Sequence, residues 1–100
     1  MMRLTDDQVR TAKSTIDRVL GVPHKVWLFG SRADDKLRGG DIDLMIETDA
    51  VFPNRARVLC QLHGALTMAL GERKLDIVLK DGRTDESPIF QIARRTGFPL

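Results

Sequence analysis

The sequence has a single cysteine, Cys60, among its 100 residues. One cysteine cannot form an internal disulfide, so a disulfide-held fold is excluded and a reducing cytoplasm is the expected location. The sequence also lacks an apolar run of about 20 residues, the length needed to span a bilayer. Its N-terminus, MMRLTDDQ, has no apolar centre of the kind found in signal peptides. We therefore expect a cytoplasmic protein with no membrane partner.

An excess of charge of either sign is absent too. Sixteen lysines and arginines stand against fourteen aspartates and glutamates, which gives a formal net charge of +2. There is no basic stripe of the kind that nucleic-acid binders carry, so nucleic acid is not an expected partner. The composition, 42% hydrophobic and 30% charged, is that of an ordinary globular domain. We expect one domain, over 1–100, with a single core of two or three layers.

Helical patterns recur along the chain. Apolar residues repeat at helical spacing over 5–20, where Gln8 can close a capping box with Thr5 and Gly21 can end the helix. A second helical stripe spans 54–70, and Pro88 begins a short third helix. Four apolar residues of that third helix are expected to face the core: Ile89, Phe90, Ile92 and Ala93.

Three segments have the pattern of β-strands: KVWLF at 25–29, DIDLMIE at 41–47 and KLDIVLK at 74–80. In the second segment Asp41 and Asp43 share one face, while apolar residues fill the other. The predicted order of elements is α-β-β-α-β-α. We therefore expect an α/β fold, a small mixed β-sheet with helices packed on it.

The two aspartates of DIDLMIE form the first candidate site. Side chains two apart on a strand point the same way, with Cα atoms roughly 6.5–7 Å apart, so Asp41 and Asp43 can converge on one point. Two such carboxylates repel each other unless a divalent cation compensates their charge. Oxygen ligands without a nearby histidine or cysteine favour Mg²⁺ or Mn²⁺. If the third strand lies beside the second in matching register, Asp76 joins the cluster, and three carboxylates suit two metal ions.

The segment FGS places Gly30 and Ser31 at the end of the first strand. Free backbone N–H groups and a hydroxyl at such a position can cradle phosphates, and Arg32 can add a charge-assisted hydrogen bond. Each feature has a plainer alternative. Asp-x-Asp is common at solvated strand ends, Gly30 fits a simple turn, and Arg32 can pair with a nearby aspartate. The ordered combination of these features is much harder to obtain by chance.

The sequence resembles the minimal nucleotidyltransferases (MNT), which share the DNA polymerase beta catalytic fold. The segments that carry the resemblance are LFGSRA, GGDIDLMIE and LDIVL. The resemblance covers most of the chain. It implies that Gly30 and Ser31 hold the triphosphate of a nucleotide, that Asp41 and Asp43 bind the metal ions, and that Asp76 helps to deprotonate an acceptor hydroxyl. The implied reaction is a Mg²⁺-dependent transfer of NMP, expected to be AMP from ATP, with release of pyrophosphate.

Members of that family often pair with a HEPN toxin, and some transfer AMP to a tyrosine on it. The resemblance thus implies a HEPN-like protein partner encoded nearby. Only about 20 residues follow the third strand, so we expect the acceptor site to be supplied in trans. Two alternatives stay open: an antitoxin-type interaction protein that acts by binding, and a nucleotide-binding subunit without turnover. The sequence also leaves open the base preference, the acceptor and homo-oligomerisation.

Other polar residues are not expected to take part in chemistry. Glu47 lies about 13 Å beyond Asp43 along its strand and is predicted to be solvated. Lys80 shares the face of Asp76 and can reach a phosphate, but a solvated strand end is the preferred prediction. Arg94 and Arg95 are also predicted to be solvated, with contact to an acidic partner as the lesser alternative, and His24 has no partner at a spacing that suggests a ligand.

Overall fold

The computed structural model describes residues 5–29, 42–71 and 74–100. Within these ranges the elements, in chain order, are α1 Asp6–Leu20, β1 Lys25–Leu28, β2 Ile42–Glu47, α2 Arg55–Leu70, β3 Leu75–Lys80, α3 Pro88–Thr96 and β4 Phe98–Pro99. The six predicted elements are present in the predicted order. The short strand β4 was not predicted. None of the helices in the described ranges is long and apolar enough to cross a membrane.

The strands form one mixed sheet in the order β3-β2-β1-β4. Strand β1 is antiparallel to both β2 and β4, whereas β2 and β3 are parallel. The parallel pair is possible because α2 carries the chain back across the sheet between the two strands. The expectation of a small α/β domain with a mixed sheet and packed helices is thereby confirmed.

Helices α1 and α2 cover one face of the sheet. Thr5 and Gln8 form the predicted capping box at the start of α1, and Gly21 ends it with a left-handed φ of 65°. The buried stripes of both helices pack on the apolar face of the strands, where Leu44 and Ile46 are fully enclosed. The main core lies in this layer, and the side chains that β2 and β3 contribute to it are those at the predicted alternate positions.

Helix α3 packs on the opposite face of the sheet. Phe90 and Ala93 are buried there with Met45 and Phe29. The prediction that Ile89 and Ile92 also face the core is wrong, since 44% and 43% of their surfaces are exposed. A single helix on an open sheet face buries only one narrow stripe, and residues adjacent in sequence point about 100° apart around the helix axis.

Candidate functional site

Two of the predicted carboxylates are direct neighbours in the sheet. Asp43 of β2 and Asp76 of β3 are register partners in the parallel pair, which places their Cα atoms about one strand spacing, roughly 4.8 Å, apart. The sequence predicted that Asp76 would join the cluster only if the two strands paired in matching register. That condition is met.

The pair lies at the end of the sheet where β2 and β3 begin. Asp43 is half-buried and Asp76 is exposed. Strand alternation puts both side chains on the face that carries Met45 and Val78, which is the face on which α3 packs. Asp76 is therefore accessible from the side of the sheet opposite α1 and α2.

Strand β1 brings the chain to the same place. The Phe29 N–H donates a 3.0 Å hydrogen bond to the Asp43 carbonyl. Phe29, the last residue of the described range 5–29, therefore lies beside the carboxylate pair. The predicted phosphate-binding residues Gly30, Ser31 and Arg32 follow directly in the sequence. They lie outside the described residues, as does Asp41.

The donor set fits a hard divalent cation. Two adjacent carboxylates repel each other, and a bound cation offsets that repulsion while accepting their oxygen atoms as ligands. No group of three or more His, Cys, Asp or Glu side chains in the described ranges is placed to hold a metal ion. Asp43 and Asp76 supply two of the three predicted carboxylates, and the third, Asp41, is not among the residues that the structure describes.

Further along the same face, Glu47 is not the solvated residue that was predicted. The Arg94 Nε lies 3.6 Å from the Glu47 carboxylate, and the same guanidinium donates a hydrogen bond to Glu86. That hydrogen bond and the nearby positive charge hold the pKa of the Glu86 carboxyl below its ordinary value. Arg94 thus ties α3 to β2, and its predicted solvation is also wrong, whereas Arg95 is exposed as predicted.

Lys80 is likewise occupied in the structure. Its Nζ donates a 3.1 Å hydrogen bond to the Thr84 carbonyl and lies 5.9 Å from the centre of the Phe90 ring. Its position on β3 is four residues beyond Asp76, about 13 Å along the strand. Lys80 therefore holds the loop and α3 in place and is not directed at the carboxylate pair.

Asp81 is a buried acid that the sequence analysis missed. Only 2% of its surface is exposed. One carboxylate oxygen accepts hydrogen bonds from the Arg83 N–H at 3.0 Å and the Thr84 hydroxyl at 2.8 Å, while Arg55 Nε lies 3.5 Å from the other. Burial alone would raise the pKa of this carboxyl, but these hydrogen bonds and the Arg55 charge bring it below its ordinary value. The Asp-Gly-x-Thr turn was the available signal.

His24 has partners that its sequence position did not reveal. Its Nδ1 lies 2.7 Å from the Val22 carbonyl and its Nε2 lies 3.0 Å from Asp17. These contacts join the end of α1 to the start of β1. A cavity of about 270 Å³ adjoins His24 and Trp27, at the opposite end of β1 from the Asp43 pair.

The described site therefore consists of two neighbouring carboxylates at the end of the sheet where β2 and β3 begin. The chain leaves β1 beside them, at Phe29. Both side chains are hard oxygen donors of the kind that Mg²⁺ and Mn²⁺ prefer. No family model matches the chain, and no curated protein does so either.

Proposed function

We propose that this chain is a metal-dependent nucleotidyltransferase that moves NMP, with ATP as the expected donor, onto a hydroxyl of a partner protein. The observation that carries the proposal is the register that sets Asp43 beside Asp76. A pair of carboxylates on an exposed sheet edge is chemically suited to hold divalent cations against a phosphate substrate. Such a pair contributes nothing to the apolar core.

The order and pairing of the strands also support the proposal. The chain that follows Phe29 carries the glycine and serine proposed to bind phosphate, and Phe29 is bonded to Asp43. Phosphate and metal ligands would thus come from adjoining strands of one sheet edge, as the resemblance to the polymerase beta fold implies. We propose that this sheet and its helices form a nucleotidyltransferase core of that type.

Asp41, Asp43 and Asp76 would hold Mg²⁺, with Mn²⁺ as a substitute. When bound, the metal supplies positive charge that offsets the charge of the triphosphate and of the leaving pyrophosphate. Gly30, Ser31 and Arg32 are proposed to bind the triphosphate through backbone N–H groups, a hydroxyl and a guanidinium.

The transfer itself is an in-line displacement. The acceptor hydroxyl oxygen forms a bond to the α-phosphorus, and the bond from that phosphorus to the bridging oxygen of the β-phosphate breaks, releasing pyrophosphate. The hydroxyl proton passes to the Asp76 carboxylate and from there to solvent. The part played by these residues is orientation, charge compensation and proton removal.

The test is a label-transfer assay with ATP carrying a labelled α-phosphate, Mg²⁺ and the product of the adjacent gene as acceptor. Wild-type protein should transfer label, while Asp43→Asn and Asp76→Asn should each lose at least about 100-fold in rate, the scale on which removing one charge-stabilising group slows an enzyme. Asp49→Asn is the matched control, because Asp49 is an exposed carboxylate beyond the other end of β2. Equal rates in all four proteins would overturn the proposal.

A further inference from the structure

Strand β3 is an edge of the sheet. The Lys74 carbonyl, just before β3, accepts a hydrogen bond from the Ile42 N–H, and the Lys80 carbonyl, at its end, accepts one from the Thr48 N–H. The N–H and C=O groups of successive residues point to alternate sides of a strand. The backbone groups of the even-numbered residues of β3 therefore bond to β2, and those of the odd-numbered residues point away from β2. Among the described residues, no strand pairs with that outer side.

The outer side of β3 is partly closed. The Leu79 carbonyl accepts a hydrogen bond from the Arg55 guanidinium, which occupies the end of the strand far from the carboxylates. The backbone N–H and C=O groups of Leu75 and Ile77 also point outward, and within the described ranges no hydrogen-bond partner is seen for them. The available stretch of edge is therefore the part that flanks Asp76.

Side-chain burial indicates that this edge is uncovered. Ile77 and Val78 stand at the centre of β3, yet both are only half-buried. Their register partners on β2, Leu44 and Met45, are fully buried. An added strand would cover apolar surface that these two side chains expose. Natural proteins rarely leave such an edge without charged residues, proline, a bulge or a covering segment.

We infer that this edge binds an extended segment of the partner protein as an additional strand, and that this segment carries the acceptor hydroxyl. The inference rests on the proposed function and specifies how its acceptor is held. Residues opposite each other on neighbouring strands place their side chains on the same face. A serine, threonine or tyrosine paired with Asp76 would therefore present its hydroxyl on the face of the carboxylates.

A second copy of this chain fits the edge poorly. In antiparallel self-pairing centred on Ile77, Lys74 of each copy lies opposite Lys80 of the other, and like charges in that position destabilise a sheet. Shifting the register by two residues toward the start of β3 sets the two copies of Asp76 opposite each other. Shifting it the other way needs the Leu79 carbonyl that Arg55 already occupies.

The same charges describe the segment that would fit. Exposed Lys74 lies just before β3, two residues from Asp76 and on the same face, so an acidic residue two positions from the acceptor hydroxyl is favoured in the incoming strand. A suitable probe is the blocked pentapeptide Thr-Val-Tyr-Val-Glu, because its glutamate lies opposite Lys74 when its tyrosine pairs with Asp76 in an antiparallel strand.

Amide hydrogen exchange in the full chain measures the interaction directly. At a peptide concentration ten times its Kd, exchange of the Leu75 amide should slow about tenfold. Ile77→Pro removes an N–H that points away from β2, a position at which an edge strand tolerates proline, and should abolish this protection. Ile77→Ala is the matched control, since it shortens the side chain but keeps the N–H, and should retain it. Equal protection in the proline variant, or none in the wild type at millimolar peptide, would overturn the inference.

Transfer of labelled AMP to the peptide separates this inference from the proposed function. Protection of Leu75 without any transfer would mean that the edge binds strands while the proposed chemistry fails. Transfer at equal rates in the wild type and Ile77→Pro would mean that the chemistry stands while the strand site fails. Support for both requires transfer in the wild type and Ile77→Ala and its loss in Ile77→Pro.

Discussion

Asp43 and Asp76 lie opposite each other on neighbouring parallel strands. Their backbones are about one strand spacing, roughly 4.8 Å, apart, so two negative charges share one small region of the sheet edge. Charges at such a distance repel each other unless a cation lies between them. A cation bound between them would therefore stabilise the folded protein.

The first prediction follows from this repulsion. Without metal, Asp43→Asn should melt at the same temperature as the wild type or slightly higher, with a gain of at most about 1 kcal/mol, the scale of exposed charge pairs. Adding Mn²⁺ should raise the melting temperature of the wild type and not that of the variant, because ligand binding stabilises only the protein that binds it. Thermal melts with and without EDTA provide the measurement. An equal Mn²⁺-dependent shift in both proteins would contradict the metal assignment.

The second prediction concerns which side of α3 holds it on the sheet. Phe90 is buried against Phe29 and Met45, so Phe90→Ala should lower the free energy of unfolding by about 3–5 kcal/mol, the usual effect of emptying a buried aromatic site. Ile92→Ala is the control, since its side chain is largely exposed, and it should change stability by about 0.5 kcal/mol or less. Urea unfolding of both variants distinguishes them, and equal losses would refute the placement of this helix.

The third prediction is a pH dependence that arises from Asp81. Its pKa in the folded protein is lowered, and the unfolded value is near 3.9. The carboxylate therefore contributes stability above about pH 4, and this contribution is lost as the pH falls through the folded-state pKa. Asp81→Asn should cost about 1.5–3 kcal/mol at neutral pH, the range for a hydrogen bond to a charged group.

The same measurement at low pH gives the decisive comparison. The stability difference between wild type and Asp81→Asn should shrink as the pH falls from about 4 through the folded-state pKa of Asp81, because the wild-type carboxyl then becomes protonated. Asp85→Asn serves as control, since Asp85 is exposed in the same loop and should show almost no difference at either pH. A difference that stays constant with pH would show that the charge of Asp81 is not what stabilises the loop.

Local signals in the sequence were sufficient for the parts of the fold that depend on neighbouring residues. The capping box of Thr5 and Gln8 and the left-handed Gly21 fix both ends of α1, and each involves residues a few positions apart. The faces of β2 follow from strict alternation, so the position of Asp43 on the open face was predictable. The meeting of Asp43 and Asp76 was predictable only as a condition, because register is decided by the packing of two distant strands.

Other features depend on contacts between residues far apart in sequence. The two-residue strand β4, Phe98–Pro99, is too short to show alternation and forms because β1 offers it an edge. Glu47 and Arg94 form a pair only because α3 folds back over β2. Asp81 lies in a polar loop and is buried because Arg55 and Thr84 meet it there. The sequence pattern contains no information on the distant partners, Arg55 and Arg94, whereas the Asp-Gly-x-Thr turn indicates only the local contact of Asp81 with Thr84.

The last prediction uses two glycines in different surroundings. A Cβ added to Gly97 would lie 2.9 Å from the Leu28 carbonyl oxygen and 3.1 Å from the Phe29 Cβ, and would also meet the Ala93 carbonyl. Gly97 has an ordinary negative φ, so the obstacle is space and not backbone strain. Gly97→Ala should therefore lower the free energy of unfolding by about 1–3 kcal/mol, as overpacking does.

Gly64 is the matched control, because a Cβ added there meets nothing within 4 Å and the residue lies inside α2. Gly64→Ala should raise the free energy of unfolding by about 0.5–1 kcal/mol, since alanine favours a helix over glycine. Gly97→Ala should also reduce label transfer, because it displaces Phe29, whose N–H is bonded to the Asp43 carbonyl. Transfer by the folded fraction, measured well below the melting temperature, separates this effect from lost stability. Unchanged transfer in a destabilised Gly97→Ala protein would show that the position of Phe29 does not affect the carboxylate pair.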